Sequence, residues 1–349
     1  MERAQAGPRC WGAASGAGQG RTMTSVAVVE RLAWLVPTGD GAVFSRRSLG
    51  LLGLGDVEVR QLVRSGRLIR LHHGWYTLAD PSRFPADVYR LRVLAFLQDD
   101  AARRSGGLVV GPAPVLTGAA ALAVLGLPLL GPPPAAITVA HAYPGGRATR
   151  GLVRPTGRLD PEDIIGRAGV LLATPARAAL DAARWHSVQT GVAAADEALR
   201  NGLLTEPALD DALDRMPRLW RVRNARLART LVSALSESPG ESWSAVVLNS
   251  LGLPPPARQV DFRDRQGFIG RVDFWWAEQR VVGEFDGRLK YGRANPSGRP
   301  AEDVLWEEKL REDRIRGLDV RVVRWTAADL VAPAALAARL TAAGLPRRP

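Results

Sequence analysis

Cysteine is nearly absent from this chain, with Cys10 its only representative. A lone thiol cannot close an internal disulfide, which excludes a disulfide-stapled secreted fold and fits a reducing cytoplasm. Lysine is almost as scarce: of 47 basic residues only Lys290 and Lys309 are lysine, an arginine surplus that a GC-rich coding bias also produces. No Cys or further His stands at ligand spacing from His72 and His73, so the usual zinc patterns are missing and both read as turn and wing residues. Long apolar runs are lacking too. The stretch from Ser105 to Ala140 carries no charge, but Pro112, Pro114, Pro128 and Pro132 to Pro134 divide it. The pieces fall short of the roughly 20 residues a membrane span needs. A buried soluble segment is expected, with no membrane partner. The residues before Met23 are rich in Gly, Ala and Arg without a signal-peptide core, so 1–23 reads as a disordered or misassigned start.

Negative charge is the minority. Against 35 acids the bases leave a formal charge of +12, and the pI is about 11.0. Such an excess favours a polyanion, because neutralising phosphates releases counterions and drives association. DNA is the expected partner. At 349 residues, two or three domains are expected, each with its own core. A composition 46% hydrophobic and 23% charged excludes wholesale disorder.

Residues 24–80 read as three helices and a hairpin. Val26 to Leu35 is largely apolar, Ser45 is placed to cap Arg46 to Leu52, and Asp56 opens a third helix that ends at Gly66. On that helix Val59, Leu62 and Val63 share one face, which leaves Arg60 and Arg64 together on the other. Arg67 to Leu78 alternates around His73-Gly74 as a two-stranded wing would, with Arg67 and Arg70 on its first strand. From Arg46 to Arg70, Arg46, Arg47, Arg60, Arg64, Arg67 and Arg70 face only Asp56 and Glu58. Three short helices and a basic wing follow the winged-helix plan, whose third helix enters a major groove.

Residues 81–235 read as mainly helical, with an embedded strand pair near Ala136 to Ala140 and Gly151 to Arg154. Thr174-Pro175 and Thr205-Glu206-Pro207 open helices, and Asn201-Gly202 ends one. Their Ala and Leu residues at helical spacing read as core, with no catalytic pattern. The wing ending Gly74-Trp75-Tyr76, then Leu116-Thr117-Gly118-Ala119-Ala120, Gly126-Leu127-Pro128, Thr174-Pro175-Ala176-Arg177 and Asp181, resembles the type IV abortive-infection antitoxin group. That resemblance implies a winged-helix DNA-binding domain joined to a second domain, autorepression of an operon, and a toxin encoded nearby as partner.

From Ser238 onward the pattern is helix, three strands, helix, strand: Glu241 to Leu251, Arg258 to Phe262, Phe268 to Trp276, Arg280 to Phe285, Ala301 to Arg316 and Val320 to Trp325. This is the core order of the PD-(D/E)xK nuclease fold. If Glu278 and Gln279 form the turn between the second and third strands, counting back pairs Asp273 with Glu284 across the hairpin. Asp286, two residues beyond Glu284, points to the same face if the strand continues. Carboxylates opposed across a sheet destabilise it and call for a counter-charge. Oxygen ligands without His or Cys favour Mg2+ or Mn2+. Such an ion polarises a phosphate and generates hydroxide. Glu241 is a further ligand or water-orienting candidate. Lys290, a rare lysine beside this cluster, is a candidate for chemistry that arginine cannot perform. Arg311, Arg314 and Arg316 either grip a backbone phosphate or pair with Glu307, Glu308, Glu312 and Asp313 on their own helix. Arg218, Arg221, Arg223, Arg226 and Arg229 form another basic strip, lining a DNA path or a solvated face.

These residues carry a second resemblance. Ser238-Pro239-Gly240-Glu241-Ser242, Gly270-Arg271-Val272-Asp273, Glu284-Phe285-Asp286-Gly287 with Lys290-Tyr291, Glu308-Lys309-Leu310-Arg311-Glu312-Asp313-Arg314 and Val322-Val323-Arg324-Trp325 together resemble the very-short-patch-repair-endonuclease-like domain of unknown function. The resemblance implies Asp273 as central metal ligand, Glu284 as its strand partner and Glu241 as the helix carboxylate. One departure stands out: Asp286 occupies the place where the motif has Lys, so Lys290 would substitute from a shifted position.

The expectation is a multidomain α+β protein. It comprises a winged-helix DNA-binding-like domain over 24–80, an antitoxin-like, mainly helical α+β domain over 81–235, and a restriction-endonuclease-like αβββαβ domain over 236–345. The expected function is a metal-dependent DNA endonuclease using Asp273, Glu284, Asp286, Glu241 and Lys290. The alternative is a non-catalytic DNA-binding regulator of the antitoxin kind with a degenerate nuclease fold.

Overall fold

The computed structural model describes residues 43–108, 113–140, 153–287 and 301–347. The helix expected over Val26 to Leu35 lies outside these residues, as does Lys290. The chain divides into two compact units, one holding residues up to Arg70 with Tyr76–Ala79, the other Leu71–Trp75 with Asp80 onward. The molecule is mixed α+β with three small sheets.

The first unit contains β1 (Val43–Ser45), α1 (Arg46–Leu51) and α2 (Asp56–Arg64), and its sheet is completed by β2 (Leu68–His72) and β3 (Trp75–Leu78) in the order β1-β3-β2. Ser45 caps α1 by accepting the Ser48 N–H at 3.0 Å, as its residue type favours. Leu49, Leu54, Val59, Leu62 and Leu68 form the core. The hairpin reverses at His73-Gly74, where Gly74 has φ +77°, a conformation glycine adopts without steric cost. β1 was not expected; three residues are too few to show alternation.

In the second unit, α3 (Pro85–Ser105) leads into a five-stranded sheet of order β6-β5-β4-β8-β7. Its strands are β4 (Val115–Leu116), β5 (Ile137–Ala140), β6 (Val153–Pro155), β7 (Ile164–Arg167) and β8 (Val170–Ala173). This corrects the expected single strand pair. Two of the missed strands, β7 and β8, have four residues each, and the two-residue β4 runs straight into a helix. Packed with the sheet are α4 (Gly118–Leu125), α5 (Pro175–Trp185), α6 (Val188–Arg200), α7 (Glu206–Asp214) and α8 (Val222–Leu231). Their starts follow the sequence: Thr174, Ser187 and Thr205 each accept a backbone N–H three residues on.

The C-terminal region runs α9 (Pro239–Ser250), β9 (Ala257–Asp264), β10 (Gly267–Trp276), β11 (Val281–Phe285), α10 (Ala301–Arg316) and β12 (Arg321–Trp325), then adds α11 (Ala327–Val331) and α12 (Ala334–Ala342). The sheet order is β12-β11-β10-β9, with β12 parallel to β11 and the other neighbours antiparallel. One apolar cluster joins Phe274, Trp276, Val281 and Trp325 to Leu248, Leu330, Leu336 and Leu340. Another joins Phe262, Ile269, Val272 and Val282 to Ile315 of α10. Glycine is required at Gly283, where a Cβ would lie 2.5 Å from the Trp325 ring. It is equally required at Gly240, where a Cβ would run into the Phe285 ring and so prevent α9 from resting on β11. Val246 of α9 also packs against Ala183, Val192 and Ala228, so this region shares packing with the central helices. No described helix is long and apolar enough to cross a membrane.

Candidate carboxylate site and nucleic-acid interface

The β10–β11 hairpin pairs Phe274 with Gly283, Trp275 with Val282 and Trp276 with Val281. This is the register expected from a turn centred on Glu278 and Gln279, although the turn spans residues 277–280 and places Arg280 at φ +53°. The paired register ends at Phe274 and Gly283, one residue short of Asp273 and Glu284.

The strand face breaks there. Val272 packs in one apolar cluster and Phe274 in the other, where regular alternation would put both on the same side. Across β9 the same position falls to Gln259, between the pairs Val272–Val260 and Phe274–Arg258. Gln259 is left-handed, with φ +53°, an uncommon state for a residue with a Cβ. Its Nε2 donates to Glu241 Oε2 at 2.8 Å and to Asp273 Oδ1 at 3.3 Å. An uncharged amide thus links the two carboxylates.

The remaining oxygens of this group are also engaged. Asp273 Oδ2 accepts the Phe285 N–H at 2.8 Å. Glu241 accepts the Glu237 N–H at 2.9 Å and the Ser238 hydroxyl at 2.7 Å. Glu284 faces α10 and is held by two arginines, Arg311 Nη2 at 2.8 Å on Oε1 and Arg324 Nη2 at 3.0 Å on Oε2. Asp286 follows the last residue of β11; its N–H donates to the Trp325 carbonyl at 2.7 Å, and no ion pair joins its carboxylate to another described residue. Lys290 lies outside the described residues.

The structure therefore brings Glu241 to Asp273, and Glu284 to two arginines, as separate groups. Among the described residues no three His, Cys, Asp or Glu side chains are arranged to hold a metal ion. At Glu284 guanidinium groups supply counter-charge, whereas Asp273 and Glu241 accept from neutral N–H and O–H donors.

Of the arginines on α10, Arg316 pairs with Glu312 on its own helix. Arg311 and Arg314 instead reach off the helix, to Glu284 and to Asp264 at 2.7 Å. The Arg314 guanidinium holds the Asp264 carboxyl below the usual carboxylate range. Along the other basic strip, Arg229 pairs with Asp210 and Glu206, Arg226 donates to the Pro217 carbonyl, and Arg221 lies 4.6 Å from the Trp220 ring centroid. Arg218 and Arg223 are exposed.

In the N-terminal unit Arg47, Arg60, Arg64 and Arg70 are exposed and Arg67 is half-buried. Arg46 is committed internally, to Asp56 at 2.6 Å and to the Leu54 carbonyl at 2.9 Å, joining α1 to the start of α2.

The sequence left the central motifs without a role, and the structure assembles them. Asp181, fully buried, accepts from Thr117 at 2.5 Å, Arg177 at 3.0 Å and Arg184 at 2.5 Å. Asp163, also fully buried, takes Arg177 at 2.8 Å and Arg215 at 2.5 Å. Arg177, Asp181 and Arg184 at helical spacing among alanines were the available signal, because charges on the apolar face of a helix must find partners. A second buried group, Asp196, accepts from the Ser233 N–H and the Ser242 hydroxyl, both at 2.7 Å, tying α6 to α9. Burial pushes its carboxyl up from the usual range.

No protein-family model matches this chain. It is similar to two curated proteins, "Uncharacterized protein MT2308" and "Uncharacterized protein Rv2248", from two strains of Mycobacterium tuberculosis. Each is 26% identical over 203 residues, covering 54% of this chain and 69% of its own length. Among solved structures, the crystal structure of RV2827C protein from Mycobacterium tuberculosis matches 70% of this chain and 90% of its own, at 17% identity and a TM-score of 0.36.

Proposed function

We propose that this chain binds duplex DNA through its N-terminal unit, read as a winged helix. Its C-terminal αβββαβ region, read as a nuclease-like core, holds its carboxylates in a neutralised, non-cutting arrangement. The observation carrying this is α2: Val59 and Leu62 are buried while Arg60 and Arg64, one turn apart, are exposed just ahead of a hairpin bearing exposed Arg70. A helix rooted on one face and cationic on the other is what groove entry requires. On this reading the chain is a regulator of the antitoxin kind, with a toxin encoded nearby as its partner. Fluorescence anisotropy on labelled duplexes tests it. Arg60→Ala with Arg64→Ala should weaken binding and lower the salt-dependence slope by about one for each phosphate no longer neutralised. Equal affinity and slope in the double variant would remove α2 from the interface.

A metal-dependent endonuclease is the second reading, favoured by the hairpin register, which would set Asp273 opposite Glu284 if it continued one residue beyond Phe274 and Gly283. It requires Arg311 and Arg324 to leave Glu284 before any cation could share that carboxylate. Plasmid nicking with Mg2+ or Mn2+ that disappears in Asp273→Ala would establish it. Nicking that persists in that variant would not belong to this site.

A further inference from the structure

The Glu284 cluster has the form of an occupied anion site. Glu284 and Arg324 are direct register partners on the parallel strands β11 and β12, and Arg311 closes from α10. Two guanidinium groups from two different elements thus each take one oxygen of a single acid, and Arg324 Nη2 also pairs with Glu312 of α10 at 3.2 Å. Arginine stays charged across the physiological range and presents planar donors suited to carboxylate and phosphate alike.

Access is unequal. The Glu284 side chain is 11% exposed, whereas Arg311 and Arg324 keep 23% and 33%. Both arginine side chains are thus more exposed than Glu284, although Arg324 Nε is buried and Glu312, 19% exposed, shares Arg324 Nη2. The position of Arg311 is also built in: its stem crosses β10 at Gly270, where a Cβ would lie 3.0 Å from its Cδ, and its Nη1 donates to the Arg271 carbonyl at 3.3 Å.

We propose that Arg311 and Arg324 form a clamp for a phosphodiester group of DNA, and that Glu284 is its resident stand-in, displaced when the backbone docks. This rests on the DNA-binding reading and adds the site and its regulation. Without DNA the clamp is latched on Glu284 and, at Arg324, also on Glu312. With a phosphate bound, Glu284 loses both ion pairs and must take up a proton or another partner, so the state of this carboxylate reports DNA occupancy.

Removing the stand-in should strengthen binding, an effect that simple structural damage does not produce. In the full chain, Glu284→Gln keeps the side-chain shape and removes the competing charge. Its affinity for a labelled duplex at low salt should rise roughly threefold to tenfold, with a steeper salt dependence. Arg311→Gln should lower affinity by a similar factor and flatten the slope. The same changes placed in an Arg60→Ala, Arg64→Ala background separate the two readings: the clamp predicts the same fold-changes there, whatever α2 contributes. Unchanged or weakened binding in Glu284→Gln would overturn the clamp, as would an unchanged salt slope in Arg311→Gln. Inorganic phosphate is the control. If at millimolar level it abolishes the Glu284→Gln gain, the site is a free-phosphate site and its assignment to DNA falls.

Discussion

Two regions of this molecule set carboxylates between arginines, and burial gives them opposite characters. In the central region Asp181 is fully buried, and its partners Arg177 and Arg184 have side chains only 3% and 2% exposed, whereas Arg215 on the buried Asp163 keeps 30%. In the C-terminal region Glu284 is nearly as buried, but its two arginines are only partly buried, at 23% and 33% exposed. Removing one partner of a fully buried pair strands a charge that water cannot reach. Where the guanidinium groups are accessible, another anion can take the acid's place. The comparison separates an ionic group that holds a fold together from one able to exchange its ligand, though the residue types are the same.

The largest effect should come from breaking the closed network. Asp181→Ala leaves Arg177 and Arg184 buried without their shared acid, at a cost of about 3–5 kcal/mol. That corresponds to a fall in Tm on the order of 10 °C, measurable by calorimetry. A loss near that of a surface pair would mean that water reaches the network.

Next comes Gln259→Ala, which removes two hydrogen bonds to carboxylates and keeps a left-handed non-glycine residue, for a loss of roughly 2 kcal/mol. Gln259→Gly relieves the backbone strain and should recover about half of that. Equal melting of the two variants would show that φ at this position costs nothing.

The Asp196 carboxyl has its pKa raised by burial. Its contribution is therefore full below the unfolded carboxylate range and is lost as pH rises through the folded value. Asp196→Asn should gain stability relative to the parent chain as pH rises above the unfolded carboxylate range, as followed by circular dichroism melts. A flat difference over that rise in pH would contradict the raised value. Smallest of all should be Arg229→Ala: although Arg229 contacts Asp210 and Glu206, both acids are more than half exposed. A change in urea midpoint equivalent to less than about 1 kcal/mol is expected.

The C-terminal hairpin was legible because its turn fixes the register, and one residue of slip would have moved Trp276 and Val281 out of the core. Three features were not legible. The break at Gln259 and Asp273 depends on one backbone dihedral that glutamine does not announce. The five-stranded sheet rests in part on β4, two residues long, whose partners lie far away in sequence. The placing of Arg324 beside Glu284 depends on parallel pairing of β11 and β12, which no tight turn sets. Counting charges showed that the carboxylates needed compensation, but not that arginine would provide it. Of the central network only Thr117, Arg177 and Asp181 were visible, as motif letters, and Asp163 was not, because the partners come together from four separate segments.

The most direct test compares Asp181→Asn with Glu284→Gln, measuring melting temperature and duplex-DNA affinity on the same preparations. A crossed pattern is expected: Asp181→Asn lowers the melting temperature and leaves affinity unchanged below its transition, while Glu284→Gln tightens DNA binding with little change in melting. Both variants altering stability alone, or Asp181→Asn altering affinity alone, would contradict the division between a structural network and an exchangeable one.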